Sequence, residues 1–352
     1  MAVIDYRQQS PLGSVINGFL GTDDIIYGSN GNDTIYGNGG RNIIYATAGN
    51  NLIHTGNGGG YFYGGTGNDV FRAGFGNDYI YVMQGHNYVF AGAGNDTIYG
   101  GTGNDTILGI SGSNLLFAGL GNNLICGGTG NDTIYGGNGN DTIFGGSGND
   151  LIFASIGNNL VFTGAGNNTV YSAGSDTIVC GSGNNVVWSG AGADYLWSGV
   201  GGIDRLEAGA GNDVLVGGTL GINYLYGGPG DDTYVIDFNA KVTDNLPPGT
   251  AAPKYVNDIG WNYIRDTGGT GDVLLLCGVD PSDVRMMASG YYDILITVVG
   301  VEGFILIEYG FLAGYKIENI TYVAENPYSI PTANLDSIAA DLAANPDPGF
   351  WG

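Results

Sequence analysis

Apolar and polar positions along this chain follow a nine-residue beat. From Gly31 to Gly166 a glycine stands at every ninth position, and Asp or Asn follows two residues later in every unit but one, where Gly60 stands. A large apolar residue follows four residues after the glycine, as at Ile35, Ile44, Ile53, Phe62 and Phe71. The stretch GNDTIYGGNGNDT, from Gly130 to Thr142, shows the unit without irregularity. A period of nine fits neither an amphipathic helix nor an ordinary hairpin; it fits a short strand followed by a tight glycine turn. In the strand Thr133-Ile134-Tyr135, side-chain alternation sends Ile134 inward and its neighbours outward. Glycine and Asn at the remaining places supply positive φ in the turn. Two units make one coil of eighteen residues, and coils stack as parallel strands about 4.8 Å apart around a thin aliphatic core. The expected fold is therefore all-β, a right-handed parallel β-roll (a β-solenoid).

The roll is expected over residues 22–239, with residues 1–21 as an N-terminal cap. After Gly166 the phase slips by single residues, yet units such as GNDVLVGGT persist and the last reads GDDTYVIDF, Gly230 to Phe238. Lys241 to Tyr255 carries three prolines and reads as a loop that ends the ladder. Residues 240–352 are expected to form a small, mainly antiparallel β domain. Four or five strands are predicted between Gly271 and Val323, and a short C-terminal helix between Asn334, its N-cap, and Asn345, with Pro346 as the stop. Asp293, Glu302, Glu308 and interspersed glycines argue against a transmembrane helix in the apolar region from Tyr292 to Tyr315. Met1 to Leu20 has neither a basic stretch nor an apolar run, which predicts no cleaved secretory signal.

Composition narrows the partners. A net charge of −24 disfavours nucleic acid and anionic membrane and favours cations. The 69 glycines would suggest disorder, but they are periodic and accompany 43% hydrophobic residues, so they mark turns. Three cysteines, Cys126, Cys180 and Cys277, allow at most one disulfide and lack metal-site spacing. The two histidines, His54 and His86, fall at positions expected to face solvent, and no nucleophile-base motif occurs. The expectation is a protein that is not an enzyme.

The unit resembles the repeats-in-toxin (RTX), haemolysin-type calcium-binding nonapeptide G-G-x-G-x-D-x-U-x, where U is apolar; Gly127–Tyr135 and Gly136–Phe144 match it throughout. The resemblance implies that Asp side chains of turns one coil apart, with turn carbonyls, hold several Ca2+ ions, an all-oxygen set suited to a hard cation. On one edge of the roll the sequence alternates Asp33, Asn51, Asp69, Asn87, Asp105, Asn123, Asp141, Asn159, then runs Asp176, Asp194, Asp213, Asp232. On the other edge only Asp78/Asp96 and Asp132/Asp150 are adjacent Asp pairs. Ca2+ is expected to be held best where Asp turns are stacked, and less well in the mixed cages of Asp33, Asp69, Asp105 and Asp141. The segments GDVLLLCGVDPSDVR, YDILITV and YKIENITYV resemble the domain that often follows such repeats. RTX proteins leave the cell by a type I exporter reading an uncleaved C-terminal signal, so the resemblance implies extracellular or cell-surface localisation and the type I secretion machinery as a partner during export.

The outward residue after each core position forms an aromatic row on one sheet: Tyr45, Tyr63, Tyr81, Tyr99, Phe117, Tyr135, Phe153, Tyr171 and Trp188. Soluble monomers rarely leave so large an apolar face in water, which predicts self-association through it into a homo-oligomer or filament. A secreted structural protein that folds on Ca2+ is the leading expectation. An ice-binding solenoid, with its outward Asn row, and an adhesin- or toxin-like secreted protein stand beside it.

Overall fold

The computed structural model describes residues 2–8, 13–238, 258–269, 271–289, 293–298, 301–308, 317 and 319–323. They form an all-β parallel solenoid of about 13 coils. Each coil contributes one strand to each of two sheets, and the pairing register is that of the repeat: Thr133, Ile134 and Tyr135 lie beside Leu151, Ile152 and Phe153. The middle residue of every short strand, from Ile26 and Ile35 through Ile134 to Leu225, is fully buried and faces its counterpart on the other sheet. Burial of these side chains, worth about 1.5–3 kcal/mol each, is the main apolar term that holds the coils together.

Coils approach closely because the turns are built of glycine. Gly139 has φ +134, and a Cβ there would stand 2.0 Å from the carbonyl oxygen of Gly121 in the preceding coil. The phase slips are absorbed inside turns: Leu160 pairs with Thr177, and Val186 with Arg205, with the strands unbroken.

The ladders extend beyond both expected boundaries. Ala2–Asp5 pairs in parallel with Asp24–Tyr27, and Val15–Asn17 with Thr34–Tyr36, so strands of the expected cap are themselves part of the first coil. At the other end, Asp258–Arg265 pairs in parallel with Thr219–Tyr226, and Val273–Cys277 with Thr233–Asp237. Glu302–Ile307 and Asn319–Val323 add once more to the two sheets. The proline-rich insertion does not end the ladder, because the chain resumes after it with inward apolar residues, Ile264 and Leu274, in register with the core. The antiparallel region is present but compact: Val284–Ser289 pairs with Asp293–Val298, which pairs with Glu302–Ile307. The helix expected at Asn334–Asn345 lies outside the described residues. No helix among the described residues is long and apolar enough to cross a membrane.

Candidate metal centre

Strand alternation continues into the turn, so the Asp or Asn two residues before each core residue also points inward. These side chains are almost wholly buried, Asp78 at 0%, Asp132 at 2% and Asn42 at 0% exposure. Each uses its Oδ1 to accept the backbone N–H of the equivalent residue one coil earlier. Along the first edge this ladder runs from the Asp33 N–H to Asn51 Oδ1 and on through each Asp and Asn to Asp232, at 2.7–2.9 Å throughout. One further rung joins the Asp232 N–H to Asp272 Oδ1 at 2.7 Å. The second edge repeats the pattern through Asp78, Asp96, Asn114, Asp132, Asp150, Asn168, Asn185 and Asp204. Both edges have the composition expected of them, across the phase slips.

The second side-chain atom separates the two residue types. In most Asn turns, Nδ2 donates to carbonyls of its own turn: Asn42 to Gly37 and Gly39 at 3.1 Å each, Asn123 to Gly121 at 3.1 Å, Asn168 to Gly166 at 3.1 Å; Asn159 is the exception, its Nδ2 buried without a partner. Asn114 also reaches Gly127 O, in the stacked turn one coil further on. In Asp turns the same place holds Oδ2, an acceptor among acceptors. Asp69, Asp78, Asp96, Asp105, Asp132, Asp141, Asp150, Asp176, Asp194, Asp213 and Asp232 each have a buried Oδ2 with no hydrogen-bond partner. A buried polar atom left so costs about 1–3 kcal/mol, more when charged, so each needs a proton or a cation. Beside Asp132 Oδ2 stands a further acceptor, since a Cβ built on Gly127 would meet both that oxygen, at 2.5 Å, and Gly145 O, at 2.6 Å. That donor set fits a hard divalent cation.

Electrostatics grade the turns. Burial, with the charge of Asp96 added, pushes the Asp78 carboxyl up to about 8. Burial pushes Asp96 to about 7 and Asp150 to about 6, the hydrogen bond from the Asp132 N–H opposing the latter rise more than the Asp132 charge adds to it. Asp69 is also pushed to about 6 by burial, but hydrogen bonds from Asn51 oppose the rise. Asp232 reaches about 8, from burial above all, with the charges of Asp213, Asp266 and Asp272 adding to it.

Asp33 and Asp24 have donors in place of the orphaned oxygen. Both oxygens of Asp33 are taken by Ser29, whose N–H and hydroxyl donate to it at 2.6 and 2.8 Å. Asp24 accepts from the Phe19 N–H and the Thr22 hydroxyl. Two residues that sequence reasoning had not placed in the ladders belong to them, Asn262, whose Oδ1 accepts from Asn223 Nδ2 at 2.9 Å, and Asp272 at the end of the first edge, and Asp266 stands beside the latter. The segment Gly268-Gly269-Thr270-Gly271-Asp272 is a turn motif one residue short, which is the signal that marks it.

The aromatic row is one continuous stack. Tyr27 extends it, and from Tyr27 through Tyr45, Tyr63, Tyr81, Tyr99, Phe117, Tyr135, Phe153 and Tyr171 to Trp188 neighbouring centroids are 4.7–5.3 Å apart and the rings nearly parallel. Ring faces are thus spent on one another and edges face out. His54 corrects its expected exposure: it is 9% exposed, because its ring stacks on Tyr36 at 4.8 Å on the opposite sheet. His86 is exposed and takes the place of an Asn in the outer row, its Nδ1 accepting the Asn104 N–H at 2.8 Å. The three cysteines are free.

No curated protein matches the chain at a significant level. The family model of the RTX calcium-binding nonapeptide repeat matches in ten overlapping stretches that together run from residue 20 to residue 235. Those residues cover most of the chain and contain nearly all of the orphaned carboxylates, so the oxygen cages find their occupant in Ca2+: the chain belongs to the RTX calcium-binding nonapeptide repeat family and binds several calcium ions.

Proposed function

We propose that this is a secreted, non-enzymatic structural protein whose roll is completed by Ca2+ and which self-associates outside the cell or at its surface. The observation that carries the reading is the row of buried, partnerless Oδ2 atoms, which gives the fold a built-in requirement for cations. Millimolar Ca2+ outside a cell supplies the missing partners; the low free Ca2+ of a cytoplasm does not, so the chain stays loosely folded until exported. Metal-binding free energy then becomes folding free energy. The proposed Ca2+ ligands are Asp78/Asp96, Asp132/Asp150 and Asp176/Asp194/Asp213/Asp232, with Asp69, Asp105 and Asp141 in weaker mixed cages.

Self-association is read from the aromatic sheet. Beside the ring stack, Tyr61 and Tyr79 are 39% and 38% exposed, next to outward Ile43, Leu115 and Leu151. Rings already stacked have lost the conformational freedom that binding would otherwise cost, so a second copy meets a rigid face. Replacing Tyr81, Tyr99 and Tyr135 together by Ser is expected to keep Ca2+-dependent folding and to abolish assembly in light scattering. A wild-type protein that stays monomeric at high concentration in millimolar Ca2+ would overturn the assembly reading and leave the calcium-dependent fold untouched.

A further inference from the structure

At the C-terminal end of the first Asp row, three carboxylates meet instead of two. Asp232, Asp266 and Asp272 are each 1% exposed, and one oxygen from each lies within 4.8 Å of the others. The third carboxylate comes from a substitution at the turn. Tyr226 pairs with Arg265 and Asp232 donates to Asp272, so Asp266 stands where the preceding coil has Gly227. Along this edge that place holds glycine, alanine, valine or serine, as at Gly64, Ala118, Val82 and Ser189, and never another acid; a Cβ built on its glycines points at Oδ2 of the coil's own turn Asp, 2.5 Å away for Gly64 and Asp69, as it does on the other edge for Gly127 and Asp132. A side chain at this position is therefore aimed into the cage.

The core adapts to it. The inward residue of this coil is Tyr234, where the neighbouring coils have Leu215 and Leu274. Its ring is fully buried and its hydroxyl donates to Asp266 Oδ2 at 3.0 Å while accepting the Gly227 N–H at 2.8 Å. A phenol thus holds the third carboxylate in place. Asp232 Oδ2, buried and without a hydrogen-bond partner, borders the same space: a Cβ on Gly227 would meet both it, at 2.1 Å, and the Tyr234 hydroxyl, at 2.3 Å.

We propose that Asp232, Asp266 and Asp272 form a three-carboxylate site for a divalent cation, distinct from the two-carboxylate cages of the repeat and the tightest on the molecule. Oxygens at most 4.8 Å apart can all reach one ion at the 2.3–2.6 Å of a Ca2+–oxygen bond, since opposite ligands then lie about 4.6–5.2 Å from each other. Affinity in oxygen cages rises with the number of ligand charges, and three here replace two. The ion would fasten the strands that follow the insertion, Asp258–Arg265 and Val273–Cys277, to the last coil before it. The proposal rests on the reading that the Asp row binds cations, and its test keeps the two apart.

Calorimetric titration of the full chain with CaCl2 is expected to show one ion bound at least about tenfold more tightly than the rest. Asp266→Gly, which restores the residue of the preceding coil, should move that ion into the weaker class and leave the others unchanged. Asp132→Asn should do the reverse, removing a weaker site and sparing the tight one. Asp266→Asn keeps the contact with Tyr234 and removes only the charge; it serves if the glycine variant fails to fold, and the same loss is expected. Asp266→Gly and Asp266→Asn titrating like the wild type would overturn the proposal, as expected if a shared proton rather than an ion joins the three carboxylates. A wild-type chain that binds no Ca2+ would overturn the reading of the whole Asp row and this site with it.

Discussion

The first edge of the roll contains two regions with the same backbone and different chemistry. From Asp33 to Asn159, Asp and Asn alternate; from Asp176 through Asp194, Asp213 and Asp232 to Asp272 every rung is Asp. The Oδ1 ladder is unchanged between them, so the two residues are equivalent to the backbone. They differ in one atom. Asn provides an N–H that closes the turn carbonyls, as Asn123 does with Gly121, whereas Asp213 presents an oxygen with no partner. An Asn turn can thus close on its own carbonyls, though at Asn159 the Nδ2 has no partner, and an Asp turn whose Oδ2 is orphaned is complete only with a proton or a cation. Metal dependence in this solenoid is a property of the Asp/Asn choice at each turn and not of the fold.

The largest effect should come from chelation. Neighbouring ionised carboxylates at the coil spacing of about 4.8 Å repel by about 3 kcal/mol at an effective dielectric near 20, and the uninterrupted run contains several such pairs. In the alternating stretch an Asn separates each Asp from the next. Hydrogen exchange in a calcium chelator near pH 7.5 is expected to open residues 176–277 first, with the coils around Asn87–Asn123 keeping protection longest. Opening that begins in the alternating stretch would break the comparison.

The comparison also bears on what could be read from sequence. The nine-residue beat placed the core residues, both edges and the aromatic row, because all three follow from strand alternation and the eighteen-residue coil. It did not reveal that Asp side chains turn inward beneath the turns, which is where their lack of partners arises. The exception at Asp33 was legible after the fact: Ser29 stands where Gly65, Gly101 and Gly128 precede other turn Asp residues, and its hydroxyl supplies the donor. The continuation of the ladders past residue 239 was hidden because the insertion removes the phase reference. His54 was misplaced because an outward position was equated with exposure, while its stacking partner Tyr36 closes it off.

A smaller effect should appear with pH, and it changes sign with metal. Burial raises Asp78 and Asp232 to about 8 and Asp96 to about 7, well above the ordinary carboxylate value near 3.8. Without metal, the folded chain holds more protons than the unfolded one between those values. Stability is then fully present below about pH 4 and is lost as pH rises toward 8. With Ca2+ bound the cages need ionised carboxylates, so stability is lost as pH falls. Melting temperatures in chelator should therefore climb from pH 8 to pH 5 and those in millimolar Ca2+ should decline over the same range; parallel trends would show that protons and ions do not compete for the orphaned oxygens.

The smallest effects come from single exchanges along the row, which test the one-atom difference itself. Asp213→Asn gives the turn its own N–H donor, so it should lose about one bound ion while gaining about 1–3 kcal/mol of stability in chelator, the cost of one unsatisfied buried acceptor. Asn123→Asp should do the opposite: a new Oδ2 appears between Asp105 and Asp141, metal-free stability falls by a similar amount, and a continuous run of charged rungs is created. Asp33→Asn is the control. Its Oδ2 accepts from the Ser29 N–H and hydroxyl, so an ion has no orphaned oxygen to satisfy there, and the substitution should leave calcium stoichiometry unchanged. Because an Asn Nδ2 would face those same two donors, Asp33→Asn should also fail to gain metal-free stability, unlike Asp213→Asn. Equal losses of bound calcium in the two Asp variants would mean that the charge of the turn, and not the orphaned oxygen, decides where the ions sit.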